Sequence, residues 1–443
     1  MTQGYYAGIS GVQTHQYGMD VVSDNLANMS TTGYKSVATE FADLFSKVVA
    51  SAGKTPTAND IGHGVRLQAT ALQLAQGAIL PSDRFNDLSL EGRGWFGVTS
   101  KGDDYYTRDG HFSFDTNEQV PGDVNSSFAQ LVTADGKYVT GTMLTNFTYD
   151  GNFDYGDTTG DSGAFVLNNP ASDVPFAPVE NQGKIEFPTR LAYPVTPTTE
   201  ASFFGNLGVD NEPRSISADA ISASSEHNRI KLVFTQSAIQ PLEGRAWDVT
   251  ATVTSNDGSI VYDTQNGQAV FGPTGGVSSF NITSLNNDGT PVAINLGSQY
   301  GGVISTDGIG VSGSSQSNGI SGGTLTNYGI NTNGVIVADF SNGRQSAIGR
   351  VAVYHFQNEQ GLSRESGTYF RESSNSGAPM FFTDANGNAI TGATVRSGTL
   401  EASNVRMDVG LTDMIIMQRA YQANAKTITT VDEMIQKALQ MRR

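Results

Sequence analysis

Counting in sevens from Tyr5 places Tyr5, Val12, Met19 and Leu26 at one position and Gly8, His15, Val22 and Met29 at its complement. That is the apolar stripe of an amphipathic helix, interrupted by one glycine and one histidine. The far end of the chain repeats the pattern: Met414, Tyr421, Ile428 and Ile435 alternate with Met417, Asn424, Val431 and Ala438. Leu411, Ile415 and Leu439 widen this second stripe beyond what one neighbour needs. Asp408 at its start and Lys437, Arg442 and Arg443 near its end suit the helix macrodipole. The spacing predicts terminal helices within residues 1–30 and 405–443, pairing as a coiled coil. Tyr5, Val12, Met19, Leu26, Met414, Met417, Tyr421, Ile428, Val431 and Ile435 are expected to form a seam through which subunits assemble.

Between the helices the period changes to two. Short runs of Val, Ile, Tyr, Phe and Thr are separated by "ADGK" (134–137), "SNDG" (255–258), "NNDG" (286–289) and "TDANGN" (383–388), which are turn signals between antiparallel strands. "YYTRDGHFSFD" (105–115) reads as a β-hairpin whose turn Arg108 and Asp109 stabilise. Prolines in "PTRLAYPVTPTTE" (188–200) and the Ser/Gly-rich "GIGVSGSSQSNGISGG" (308–323), read as a loop, mark two boundaries. The expected fold is mainly β with long helical termini and nested, discontinuous domains. The terminal helices are outermost, 31–75 and 386–404 form a linker region, 76–194 and 326–385 an inner β domain, and 195–325 an outer inserted β domain. Two helices with so narrow a stripe bury little by themselves, so further copies of the chain are the expected source of buried surface.

Composition narrows the function. In 443 residues there are 51 glycines and a net charge of −17, which argues against a phosphate-binding surface and so against nucleic acid. There is no cysteine, so disulfides, thiolate metal sites and cysteine nucleophiles are excluded. The first twenty residues lack a basic region followed by an apolar core, and no apolar run approaches the ~20 residues of a membrane span. The polar faces of the terminal stripes are poor in Lys and Arg, favouring protein over membrane as their partner.

Candidate chemistry is sparse. "GIGVSG" (308–313) matches a dinucleotide-binding glycine pattern in letters, but no helix-forming segment follows it. "DGNFDYGDTTGD" (150–161) spaces Asp150, Asn152, Asp154 and Asp161 like a calcium loop, yet Tyr155 stands where the loop requires glycine. It reads as an acidic surface loop. The histidines at 15, 63, 111, 227 and 355 form no i, i+4 pair, and His15 is expected to pack within the helical stripe. No catalytic, cofactor-binding or metal-ligating residues are assigned.

"GISGVQTHQYGMDVVSDNLANMSTTGYKS" (8–36) resembles the N-terminal signature of bacterial flagellar rod and hook proteins, and Asn28, Gly33, Tyr34 and Lys35 fall on it. "LEASNVRMDVGLTDMIIMQRAYQANAKTITTVDEMIQ" (400–436) is similar to the C-terminal signature of the same family through Asn404, Gln418, Arg419 and Tyr421. "YYTRDGHFSFD" and residues 339–362 look like the family's inner β domain. Length and the insertion at 195–325 point to the hook branch rather than the shorter rod proteins. The resemblance implies a non-enzymatic subunit that polymerises with itself into a curved tube, a flexible joint carrying torque. It implies export through the flagellar type III apparatus to an extracellular position in the hook. Partners implied are the distal rod, the hook cap, the hook–filament junction proteins and the export apparatus. Rival readings are a distal-rod or minor hook-like paralogue, and, in another class, a secreted β-rich enzyme or adhesin.

Overall fold

The first helix, α1, runs Thr2–Ala27 and the second, α2, Met407–Gln440. Strands fill most of what lies between them, giving a mainly β chain with a helix at each end. This computed structural model describes residues 2–44, 46–48, 60–116, 128–151, 153, 163–307, 311–386, 389–390 and 392–441. Most of the calcium-like loop, with Asn152, Asp154 and Asp161, lies outside the described residues, as do 308–310 of the glycine motif.

The helices run antiparallel and in contact. A Cβ built on Gly8 would lie 2.8 Å from Ile428 Cγ1, one on Gly11 2.5 Å from the Asn424 side chain, and one on Gly18 3.0 Å from Met417 Sδ. At the other end of the pair, Leu26 Cδ2 stands 2.9 Å from a Cβ built on Gly410. The glycines therefore let the backbone of α1 approach the stripe of α2 closely, in a way larger residues would prevent. The adjoining flank of α1 packs on an antiparallel pair, Val37–Asp43 with Val65–Leu72, bulged between Glu40 and Phe41. There Thr14 Oγ1 donates to Val65 O (3.0 Å), and the His15 and Phe41 rings lie 5.7 Å apart.

Two β cores follow. The first is a sixteen-strand assembly drawn from both halves of the chain around residues 200–317, with Phe96, Phe112, Leu131, Phe187, Ile336 and Ile348 buried at its centre. The second is a ten-strand sheet running from Glu200–Asn206 to Val311–Ser317. Its meander shows the sequence's period of two: Ile230, Leu232 and Phe234 on one strand and Trp247, Val249, Ala251 and Val253 on the next are all buried, while the residues between them face outward. The turn at "NNDG" places both Asp288 and Gly289 at positive φ (48° and 84°) between Ser284–Asn287 and Thr290–Asn295.

Two local expectations are corrected. Residues 105–115 are not a hairpin: Asp103–Thr107 pairs with Trp95–Ser100 and Tyr369–Arg371, whereas Phe112–Thr116 pairs with Phe128–Thr133. The chain reverses earlier, at Lys101 and Gly102, both at positive φ. Asp109 and Gly110 instead carry it across to new partners, with Leu88 N donating to Gly110 O. The Ser/Gly-rich stretch is also not all loop, since Val311–Ser317 pairs antiparallel with residues 201–206. Backbone hydrogen bonding, not side-chain burial, places this strand, so its polar letters conceal it.

Candidate functional site: the helix pair and the charged node at its base

α1 ends at Ala27, where Asn28 donates from its backbone to Asp24 O (3.1 Å) and from Nδ2 to Asp24 O (2.9 Å). The chain then turns at Gly33, whose φ of +67° and close approach to the Asp109 backbone leave no room for a side chain. Tyr34 and Lys35 follow, both nearly inaccessible to solvent.

Lys35 meets the segment that leads into α2. Lys35 Nζ donates to Glu401 Oε1 at 2.6 Å, and Arg108 Nη1 donates to Glu401 Oε2 at 3.2 Å. Glu401 is wholly buried. It also accepts from Gly77 N at Oε1 (2.9 Å), and its carbonyl accepts from Gly33 N (2.7 Å). Other donors of the two cations reach backbone carbonyls: Lys35 Nζ donates to Ala75 O (2.9 Å) and Arg108 Nη2 to Gly92 O (2.8 Å), while Arg108 Nε has no partner among the described residues. One glutamate thus ties together separate segments from both halves of the chain. Burial lowers the pKa of both Lys35 and Arg108 from their usual values, against the opposing pull of Glu401 and, more weakly, Glu359.

Around this node further polar groups are paired. Asn404 Oδ1 accepts from Ser36 N (2.7 Å) while its Nδ2 donates to Gln73 O and Ala75 O. Tyr34 OH donates to Asp24 Oδ2 (3.0 Å), and the Arg364 guanidinium lies 4.6 Å from the centre of the Tyr34 ring. Burial is the largest influence on the Tyr34 phenol and raises its pKa. Asn25 bridges the helix to the neighbouring strand, donating to Val37 O and accepting from Val37 N.

The structure therefore gathers Gly33, Tyr34, Lys35 and Asn404 into one place. Asn28 lies beside it at the helix end, half-buried. Gln418 and Arg419 stand exposed on α2, and Tyr421 is half-buried. Of the expected seam, Val12, Met19, Leu26, Met414, Met417, Tyr421, Ile428 and Ile435 are half-buried, Val431 is buried and Tyr5 is exposed. The α2 stripe faces α1 of its own chain. Among the large apolar residues left uncovered on α2 are Leu411, Ile415, Ile416 and Leu439, with 44%, 58%, 55% and 62% of their surface accessible. Sequence reasoning missed Glu401 and Arg108 as paired residues. Their signal was a carboxylate within "EASNV" and a cation within "YYTRDG", letters that reveal no partner until folding unites them.

Residues 6–35 match the profile described as Flagella basal body rod protein, and residues 396–441 that described as Flagellar basal body rod FlgEFG protein C-terminal. Over 467 aligned residues the chain is 28% identical to the flagellar hook protein FlgE of Borreliella burgdorferi, covering all of both chains. It is 26% identical to FlgE of Salmonella typhimurium and of Escherichia coli, covering 98% of each chain in both cases. The chain resembles flagellar hook proteins from end to end. Both matched modules coincide with the helix pair and the node at its base. The flagellar hook protein FlgE2 of Helicobacter pylori, a solved structure, aligns with a TM-score of 0.48 at 15% identity, covering 73% of this chain and all of that one.

Proposed function

We propose that the chain is a structural subunit of the bacterial flagellar hook, polymerising with copies of itself into a curved tubular filament that acts as a flexible joint between rod and filament. The observation that carries this is the end-to-end likeness to hook proteins, with little of either chain left unaligned. The apolar face left bare on α2 supports it: a repeated, non-closing contact between identical subunits generates a helical tube, and Leu411, Ile415 and Ile416 are placed for one. In this reading α1 and α2 form a coiled-coil-like inner wall closed within the chain, and the expected seam holds that pair together while the bare face meets neighbouring copies. The domain plan proposed is helices at 1–30 and 405–443, a linker at 31–75 and 386–404, an inner β domain at 76–194 and 326–385, and an outer one at 195–325. Export by the flagellar type III apparatus, an extracellular position, and contacts with the distal rod, hook cap and hook–filament junction proteins belong to the same proposal. Purified chain concentrated under polymerising conditions and imaged by negative-stain electron microscopy tests it. Curved tubes of uniform diameter are the expected result, and persistent monomers with a measurable enzymatic or glycan-binding activity would overturn it.

A further inference from the structure

The side of α1 turned away from α2 borders a groove of about 480 Å³ that the helix shares with the strand pair and the first β core. Val21, Val37 and Leu362 form its apolar walls, all half-buried, and Leu72 adds a buried side chain. Asp20, Asp24 and Arg364 supply its charges. Arg364 is engaged, with Nη1 lying 3.7 Å from Asp24 Oδ2 and the guanidinium covering the Tyr34 ring. Asp20 is exposed and has no ion-pair partner among the described residues.

A second surface of the same chain has the complementary make-up. Leu411 and Ile415 lie one turn apart on the bare face of α2, and Arg419 follows one turn further, exposed and likewise without an ion-pair partner among the described residues. The two surfaces also stand at one height along the helix pair. Gly11 meets Asn424, Gly18 meets Met417 and Gly410 meets Leu26, so the antiparallel register sets Leu411 level with Asp24, Ile415 with Asp20 and Val21, and Gln418 with Tyr17. With about 3.6 residues per turn, Asp20 and Asp24 fall across α1 from Gly11 and Gly18, and Leu411 and Ile415 fall across α2 from Gly410 and Met417. The groove and the apolar strip therefore look out from opposite sides of the pair.

We infer that the groove receives α2 of a second copy, with Leu411 and Ile415 seated against Val21, Val37 and Leu362 and the Arg419 guanidinium paired with Asp20. The inference rests on the hook reading and names the acceptor surface that reading leaves open. A donor strip on one side and an acceptor groove on the other make the contact heterologous: each copy gives one face and receives another, so the joint repeats from copy to copy. Two copies displaced sideways, with no shift along the helix axes, bring strip and groove together because both occupy the same level. Charge selects the same pairing, since the one unpaired cation of the strip meets the one unpaired carboxylate of the groove and fixes the register of the apolar contact beside it.

The chain contains no cysteine, so introduced cysteines report on the contact directly. Tyr17 and Gln418 are exposed and level with each other, beside the groove and the strip respectively. Polymer grown from an equal mixture of the Tyr17→Cys and Gln418→Cys chains and treated with a short bismaleimide should give a cross-linked dimer on a denaturing gel, whereas polymer of either variant alone should give monomer. Charge reversal supplies an independent reading. Asp20→Lys and Arg419→Glu should each raise the concentration at which the chain polymerises roughly two- to fivefold, the size of an exposed ion pair, and the double variant should return it close to the wild-type value. Both sites are exposed, so the melting temperature of the isolated chain should be unchanged in all three. Tubes that form normally yet yield no mixed dimer, or a double variant no better than the worse single one, would overturn the contact while leaving the hook reading intact. A wild-type chain that never forms tubes would overturn both.

Discussion

Glu401 holds two cations and two backbone amides, so removing its charge leaves Lys35 and Arg108 facing each other in a site that water does not reach. Breaking such a buried pair typically costs about 3–5 kcal/mol. Glu401→Gln is therefore expected to lower the stability of the first β core by that amount in chemical denaturation. Lys35→Met should cost less, because Arg108 and Gly77 still satisfy the carboxylate; a Glu401→Gln loss under ~1 kcal/mol would show the node to be dispensable. His15 makes a prediction of opposite character. Burial beside Phe41 lowers its pKa below 6.5, so the folded state prefers the neutral ring. Its contribution to stability is intact above pH 6.5 and declines as pH falls below that toward the folded pKa. An NMR titration should place the His15 midpoint below 6.5, and a midpoint at or above 6.5 would contradict this packing. Neither the node nor the Phe41 contact was legible in the sequence. A charge pair 366 residues apart in the chain leaves no local pattern, whereas Gly33, Tyr34, Lys35 and Asn404 were found through the family signatures that contain them.

Among the elements, α1 and α2 were the most legible, because an apolar period of seven sustained over several turns fits a helix and not a strand. The heptad count put Gly8 and Leu26 in its stripe, and both meet α2, but it left out Gly11 and Gly18. Gly8, Gly11 and Gly18 carry that contact, and glycines add nothing to an apolar stripe. Turn chemistry located the "NNDG" reversal but misassigned "TRDG", where a requirement set by distant residues replaced the local one. The helix pair yields a paired prediction. Ile428→Asp places a charge against Gly8 and should melt helical structure in the isolated chain, forfeiting about 1.5 kcal/mol of burial together with the cost of a partly desolvated carboxylate. Ile415→Asp sits on the bare face and should leave the isolated chain's circular dichroism and melting unchanged while blocking polymerisation. Equal effects of the two substitutions on the isolated chain would mean that the two faces of α2 are not distinct.

At the scale of the whole molecule, the ten-strand sheet closes on its own core, with Trp247, Phe234 and Phe271 buried inside it. Thr196 and Ile320 bridge the chain where it enters and leaves. Deleting residues 197–319 and joining the ends with a short Gly/Ser link should preserve the first core and polymerisation, altering only tube stiffness or curvature. A folded deletion variant that never polymerises would make the outer unit a required subunit contact. The proline-rich stretch at 188–200 and the Ser/Gly-rich stretch at 308–323 lie at the two ends of the ten-strand sheet; its strand order was not readable, because non-local pairing depends on contacts that no short window contains. Copies of this chain are proposed to build a hook through the bare face of α2. A cryo-electron microscopy map of the assembled polymer tests it most directly. The expected map is a curved tube whose inner wall is the α1–α2 pair, with Leu411, Ile415 and Ile416 buried against neighbouring subunits. A map in which those residues line the open lumen or face solvent, or in which the helices lie on the outside, would contradict it.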